Sequence, residues 1–193
     1  MKFKITIVCL MASLSSFSQI DDMGSAVTEK SLFNVQVGAV GIWGSHEARL
    51  GNRFALRTEV GFDLWVYDTW YTEPSYAMVP SISVEPRWYY NLNKRSVKGR
   101  KTSKNSGNFV TIATEYYPNL FVIGNLPDHI HVPNQISIIP KWGIRRHIGS
   151  TNINYELGIG IGYFTYLGED DKRYYSNTEG ATLDLHLRIG YTF

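Results

Sequence analysis

Charged side chains recur at every second position of several segments, opposite rows of aliphatic and aromatic residues. In 53–67, Arg57, Glu59 and Asp63 alternate with apolar residues, and 181–193 repeats the pattern. Such a row places acids and bases on one face of a β-strand, because successive side chains point to opposite faces. Where several rows meet in a small enclosed space, they can form ion pairs, pass an ion or bind a small polar ligand.

We predict that these rows meet in one network of charges, centred on the mid-strand residues Arg57, Glu59, Glu85 and Arg87. The predicted members are Arg57, Glu59, Asp63, Glu85, Arg87, Glu115, Lys141, Glu156, Asp184, His186 and Arg188, and Glu47, Arg49 and Arg145 share their face. Acids and bases in similar numbers favour a paired, hydrogen-bonded plug, because unpaired buried charges are costly. A narrow ion path or a small polar ligand site is the alternative.

His129 and His131 are the histidines whose spacing could hold a metal ion. They lie beside Asp128, with no third histidine near them, and the only cysteine of the chain is Cys9. We therefore predict no metal, no cofactor and no catalytic residue.

Period-two alternation dominates the chain, and it predicts strands rather than helices. The predicted strands cover 53–67, 79–92, 108–123, 135–148, 153–167 and 181–193. They are long, roughly 11 to 15 residues, whereas strands of soluble proteins usually have about 5 or 6. A tilted strand needs about 9 to 11 residues to cross a bilayer. The lengths therefore favour a transmembrane β-barrel.

The segment 32–50 decides the number of strands. A closed antiparallel barrel with both chain ends on one side needs an even number. We therefore divide this segment into a hairpin, 32–42 and 45–50, that turns at Trp43-Gly44. The predicted fold is all-β, an antiparallel up-and-down transmembrane β-barrel with eight strands.

The connections between the predicted strands differ in length. Short turns at 51–52 and 149–152 alternate with long polar connections at 68–78, 125–134 and 168–179. Short turns on one side and long loops on the other are typical of transmembrane barrels. The segment 93–107 is the exception, because it is long but falls on the short-turn side.

The first 18 residues have the plan of a secretory signal peptide. Lys2 and Lys4 precede a mostly apolar stretch at 5–14, and the small residues Ser16 and Ser18 suit cleavage after residue 18. The predicted organisation is a signal peptide at 1–18, an N-terminal periplasmic segment at 19–31 and the barrel at 32–193.

Length and charge limit the classes of function. A chain of 193 residues suits one domain. It has 19 basic and 17 acidic residues, and removal of Lys2 and Lys4 leaves 17 of each. This balance argues against a nucleic-acid binder.

Alternation alone does not show which face of the barrel is apolar. A soluble lipocalin-like barrel would turn its aliphatic face inward, whereas a membrane barrel turns it outward. Aromatic residues near strand ends favour the membrane arrangement, because such rings suit a bilayer interface. These residues are Trp65, Tyr67, Trp70, Tyr71, Trp88, Tyr89, Tyr90, Tyr163, Phe164 and Tyr166.

The end of the chain resembles the C-terminal strand of outer-membrane β-barrel proteins. The shared features are the alternation from Leu183 to Phe193, Tyr191 near the end and the terminal aromatic Phe193. Arg188 stands where the family usually has glycine, and Gly190 lies two residues later. With the signal peptide and the strands, the chain is most similar to the small, porin-like outer-membrane barrels of Gram-negative bacteria.

This resemblance implies export through the inner membrane and location in the cell outer membrane. Tyr191 and Phe193 would be the assembly signal that the barrel assembly machinery recognises. Outer-membrane lipid and lipopolysaccharide would surround the barrel. The resemblance favours a non-enzymatic protein with a structural or loop-mediated interaction role and a charge-filled lumen.

Two alternatives stay open. One is a lipid-modifying barrel enzyme of the lipid A deacylase or acyltransferase type, which needs a histidine and a serine at the bilayer surface. Ser137 is the only serine near His129 and His131, and the His-Ser-Asn motif of the deacylase type is missing. The other alternative is a soluble periplasmic lipocalin-like binder.

Two charged segments have no assigned role. The basic segment 94–104 contains Lys94, Arg95, Lys98, Arg100, Lys101 and Lys104. It is either a solvated turn or a contact with anionic phosphates of lipid or of another envelope polymer. The acidic segment 169–179 could bind a partner or a cation that bridges lipopolysaccharide.

Overall fold

The computed structural model describes residues 26–69, 72–126, 132–168 and 177–193. The predicted signal peptide at 1–18 and the histidines His129 and His131 lie outside these ranges. Among the residues described, no helix has the length and the apolar character needed to cross a membrane.

Nine strands and two short helices follow one another along the described chain. They are β1 (Ser31–Gly38), β2 (Gly41–Gly51), β3 (Phe54–Thr69), β4 (Thr72–Trp88), α1 (Leu92–Val97), a 3-10 helix (Ser103–Asn105), β5 (Asn108–Tyr117), β6 (Ile123–Gly124), β7 (Gln135–His147), β8 (Ile153–Tyr166) and β9 (Glu179–Thr192).

Eight of these strands form a closed antiparallel barrel. Each pairs with the next in the order β1, β2, β3, β4, β5, β7, β8, β9, and β9 returns to pair with β1, with Val35 opposite Tyr191. The short β6 pairs with the edge of β4 at Ala77 and Met78. The prediction of an all-β fold with an eight-stranded antiparallel barrel is confirmed.

The first hairpin turns at a different place from the predicted one. Residues 39–40 form the turn, with Gly38 paired to Gly41, so the prediction of a turn at Trp43-Gly44 is wrong. A Cβ atom on Gly41 would lie 2.2 Å from the carbonyl oxygen of Phe62, so only glycine fits beside β3 there. Trp43 continues the strand because its side chain points into the barrel and is 2% exposed.

Two other connections also differ from the prediction. The segment 68–78 is not a long loop, because β3 extends to Thr69 and β4 begins at Thr72. The predicted strand 108–123 ends at Tyr117, since Pro118 has no N–H group to donate to a neighbouring strand. Ile123–Gly124 then forms the separate strand β6.

We call the end of the barrel that contains Ser31 and Phe193 the terminal end, and the end with the β3–β4 connection the loop end. The segment between β4 and β5 folds over the terminal end. There Tyr89, Leu92 and Phe109 form an apolar cluster with Ala55, and all four are fully buried. A second cluster, of Ala77, Val79 and Val132 with Trp65, Tyr117 and Leu126 packed against it, lies inside the barrel toward the loop end.

The aliphatic face of the strands points outward and the polar face points inward. On β9, Leu185 and Leu187 are each 61% exposed, whereas the alternating residues His186 and Arg188 are buried. On β3, Val60 is exposed and its neighbour Glu59 is buried. A lipocalin-like barrel needs the opposite orientation, with its aliphatic face inside.

Candidate functional site

The predicted charged residues all lie on inward-facing positions of the barrel. They come from β3, β4, β5, β7, β8 and β9, where every second residue points into the lumen. Eight are buried: Arg57, Glu59, Glu85, Arg87, Lys141, Glu156, His186 and Arg188. Asp63, Glu115 and Asp184 are partly exposed toward the loop end.

Glu156 on β8 is the centre of the network. Its carboxylate accepts hydrogen bonds from Arg87 at 2.7 and 3.0 Å, from Arg145 Nε at 2.8 Å and from Arg57 Nη1 at 3.3 Å. His186 Nε2 also lies 3.3 Å away. Glu156 is fully buried. One carboxylate therefore accepts hydrogen bonds from three guanidinium groups, and two residues of the predicted centre, Arg57 and Arg87, are among its partners.

A second part of the network joins β3 to β9. Arg57 donates to Glu59 and to Gln36 Oε1, the latter at 2.7 Å. Arg188 Nη1 donates to both oxygens of Glu59 at 2.8 and 3.0 Å. The guanidinium of Arg188 also stacks 3.7 Å above the ring of Trp43. A cation above an indole face is stabilised by the ring quadrupole.

Lys141 on β7 connects the network to the loop end. Its Nζ is ion-paired with Asp184 and lies 3.5 Å from both Glu85 and Glu115. Glu85 also accepts a hydrogen bond from Arg87 Nε at 2.7 Å. One chain of contacts therefore runs from the terminal end through Glu156 to Asp184. Such a lumen holds opposite walls of the barrel together by paired charges.

A third part of the network joins the segment between β4 and β5 to the barrel. Glu47 Oε1 accepts hydrogen bonds from Tyr89 Oη at 2.7 Å and from Asn105 Nδ2 at 3.0 Å, and Arg145 pairs with Glu47 as well. Burial raises the pKa of Tyr89, so its hydroxyl stays protonated and donates to Glu47. Arg87 lies 4.0 Å above the ring of Phe109.

Sequence reasoning missed the neutral members of this site. Gln36 lies at an inward position of β1. Its place as a polar residue between Val35 and Val37 is a sequence signal that could have identified it. The residue type of Tyr89 favours a bilayer interface, but its ring is buried and points inward. Asn105 lies in a non-periodic segment, and no sequence signal identifies it.

Tyr89→Phe is expected to lower the free energy of unfolding by about 1–3 kcal/mol, because it leaves the buried Glu47 carboxylate short of a donor. Denaturant titration of the folded barrel measures this change. Tyr76→Phe is the matched control, since Tyr76 is 52% exposed on the outer face. Equal stability of the two variants would contradict the role assigned to the Tyr89 hydroxyl.

A cavity of about 270 Å³ lies on the loop-end side of the network. Its walls include the four acidic residues Glu59, Asp63, Glu115 and Asp184 and one arginine, Arg188. Trp43 Nε1 donates to Asp63 Oδ1 at 3.0 Å. This excess of carboxylates favours cations over anions. In the ranges described, no group of three or more His, Cys, Asp or Glu side chains is placed to hold a metal ion.

Of the residues considered for catalysis, His129 and His131 lie outside the described ranges. Ser137 is buried on β7 and accepts a hydrogen bond from Gln135 Nε2 at 3.1 Å. A different serine–histidine pair exists at the terminal end, where Ser106 Oγ lies 2.9 Å from His147 Nδ1. The other ring nitrogen of His147 lies 3.0 Å from Thr192 Oγ1 rather than next to a carboxylate. Both residues are buried, and their hydrogen bonds connect the segment between β4 and β5 to β7 and β9.

The residues of the predicted assembly signal lie on the outer surface at the terminal end. The rings of Tyr191 and Phe193 pack edge to face with centroids 5.0 Å apart, and both rings are exposed. The backbone N–H of Phe193 donates to the carbonyl oxygen of Phe33 at 2.9 Å, which continues the pairing of β9 with β1.

Fold and lumen together define the class: a closed eight-stranded antiparallel β-barrel with an ion-paired interior and an aliphatic exterior. Comparisons with protein-family models, curated proteins and solved structures return no match for the chain.

Proposed function

We propose that the chain is an integral outer-membrane β-barrel that acts through its structure or its loops and performs no catalysis. The observation that carries this proposal is the aliphatic outer surface. Val37, Val60, Ile112, Leu185 and Leu187 are each more than half exposed on different parts of the barrel wall. Soluble monomers rarely expose contiguous apolar patches above a few hundred Å². The hydrocarbon of a lipid bilayer would cover such a surface at little cost in free energy.

Backbone pairing supports the same proposal. A closed barrel satisfies its backbone hydrogen bonds between strands and has no free edge, which is required in a lipid environment. β3 has 16 residues, β4 has 17, and β8 and β9 have 14 each. These lengths exceed the about 9 to 11 residues that a tilted strand needs to cross a bilayer.

Outward aromatic residues occur near both ends of the barrel. Toward the terminal end they include Trp88, Tyr90, Trp142 and Tyr191, and toward the loop end they include Tyr76 and Tyr163. Two such girdles suit the two interfaces of a membrane. In this proposal the signal peptide directs export through the inner membrane. The barrel assembly machinery then recognises Tyr191 and Phe193, and lipid and lipopolysaccharide surround the barrel.

Fractionation of expressing cells, followed by gel migration of the membrane fraction with and without boiling, tests the proposal. We expect the protein in the outer-membrane fraction, with a band that changes mobility on heating because the folded barrel resists detergent. Recovery as a soluble periplasmic species without a mobility change would contradict it. A soluble, cysteine-free periplasmic protein expressed in the same cells serves as the control for leakage between fractions.

A further inference from the structure

The outward face of β7 ends in an arginine at the terminal end. Trp142, Ile144 and Arg146 succeed one another on this face. Trp142 Nε1 and Asn108 Nδ2 donate to the hydroxyl of Tyr90 at 2.9 and 3.2 Å, and Arg146 donates to Asn108 Oδ1. A tryptophan and a tyrosine joined by such polar contacts are typical of a membrane interface. Arg146 therefore lies beyond these two aromatic residues, closer to the terminal end of the barrel.

The basic segment 94–104 is held against the same side of the barrel. Leu92 at the start of α1 is fully buried, which fixes the helix. Arg95 Nη2 donates to the carbonyl oxygen of Lys101 at 2.9 Å, and the backbone N–H of Arg100 donates to the carbonyl oxygen of Arg95 at 2.9 Å. Lys101 Nζ donates to the carbonyl oxygen of Gly149 in the β7–β8 turn at 2.8 Å. The segment is thus an ordered part of the surface.

Two arginine side chains of this region are held by hydrogen bonds to uncharged acceptors. Arg95 donates to a backbone carbonyl, and Arg146 donates to the carbonyl oxygen of Arg145 at 2.6 Å and to the Asn108 amide oxygen. Among the residues that the structure describes, none of Arg95, Arg100 and Arg146 is ion-paired with a carboxylate. Partial burial and the nearby charge of Arg100 lower the pKa of Arg95. This region of the terminal end therefore carries three arginines without a counterion from the described parts of the chain.

We propose that Arg95, Arg100 and Arg146 form a phosphate-binding site on the outer rim of the terminal end, occupied by the headgroup of an anionic phospholipid. Guanidinium groups suit this ligand because their planar donors match phosphate oxygens in bidentate pairs. The lipid source rests on the proposed function, which places a leaflet around this end. Ile144 and Leu157, outward on neighbouring strands, offer the apolar surface on which acyl chains would lie.

Titration of the purified full chain in non-ionic detergent tests the site. The probes are dioctanoyl phosphatidylglycerol, dioctanoyl phosphatidylcholine and inorganic phosphate, with binding followed by calorimetry. We expect phosphatidylglycerol to bind more tightly than the other two. Arg146→Gln and Arg95→Gln should each weaken its binding about fivefold, as expected for loss of one cation near a lipid surface. Lys30→Gln is the matched control, because it removes a cation at the same end beside β1, and it should leave the affinity unchanged.

Unchanged phosphatidylglycerol affinity in both arginine variants would overturn the site, and so would equal binding of phosphatidylglycerol and phosphatidylcholine. Inorganic phosphate that binds as tightly as phosphatidylglycerol would overturn the lipid assignment in favour of the free ion. Arg95→Gln changes a surface segment outside the strands, so it tests the site even where Arg146→Gln impairs folding. A barrel that inserts but fails the titration loses this site and keeps the proposed function. A chain that fractionates as a soluble protein loses the proposed function, whatever the titration gives.

Discussion

Glu156→Gln is expected to destabilise the folded barrel by about 3–5 kcal/mol, because removal of one partner from a buried ion pair leaves charges uncompensated. The substitution keeps the size of the side chain and removes its charge. Arg57, Arg87 and Arg145 all hydrogen-bond to this carboxylate, and all three are buried. The free energy of unfolding from a urea titration of the refolded barrel measures the effect.

The matched control is Glu115→Gln. Glu115 is partly exposed, and it lies 3.5 Å from Lys141, which keeps Asp184 and Glu85 as partners. Its loss should therefore cost much less. A destabilisation by Glu156→Gln below about 0.5 kcal/mol, the usual range for surface substitutions, would contradict the central position of Glu156.

A double-mutant cycle separates the Glu156–Arg87 pair from the rest of the network. Arg87→Met in the Glu156→Gln background removes one of the cations that the first substitution leaves unpaired. We expect the double variant to be less destabilised than the sum of the two single variants, because the two residues contact each other directly. Strict additivity of the two changes in unfolding free energy would show that the pair is not coupled.

That the charges share one face of the strands could be predicted from the sequence because strand alternation is a local property. Arg57 on β3 and His186 on β9 each alternate with aliphatic neighbours, so their face follows from period two alone. Alternation does not show which face points into the lumen, and the aromatic residues near the strand ends are what favour a polar interior. The eight-strand count followed from the parity of an antiparallel barrel, which divided 32–50 into two strands.

The central role of Glu156 could not be predicted in this way. It contacts Arg87, 69 residues away in sequence, and Arg57, 99 residues away. Which side chains meet across a lumen depends on the tilt and stagger of the strands. That stagger is a property of the closed barrel and not of any one segment. The misplaced first turn has the same cause, since the position of Trp43 is fixed by its contact with Asp63 on the neighbouring strand β3 rather than by turn residues.

The contacts of the segment between β4 and β5 could not be predicted from the sequence either. Its length marked it as an exception, but the sequence does not indicate that Asn105 reaches Glu47 inside the barrel. This contact combines with the buried ring of Tyr89 to close the terminal end of the lumen. Two apolar clusters with ion pairs between them favour a lumen that stabilises the barrel over one that conducts. A stabilising lumen agrees with the structural role in the proposed function.

Leu185→Arg is expected to cost about 2–4 kcal/mol of unfolding free energy in lipid, the range for a cation on the lipid face at mid-membrane. Leu185 lies near the middle of β9, points outward and is 61% exposed. An arginine there would have to enter hydrocarbon, whereas in water it would be well solvated. Refolding into phospholipid vesicles, followed by urea titration, gives the free energy and the inserted fraction.

The depth of the substitution provides the control. Ile153 also points outward, but it lies at the start of β8 opposite Tyr191, close to the terminal-end girdle. Because the cost of a charge falls to about 0–1 kcal/mol near an interface, Ile153→Arg should change insertion little. A soluble barrel predicts a different result, since both arginines would face water and neither would be destabilising. The difference between the two variants, rather than the absolute stability of either, therefore tests whether hydrocarbon surrounds the middle of the barrel.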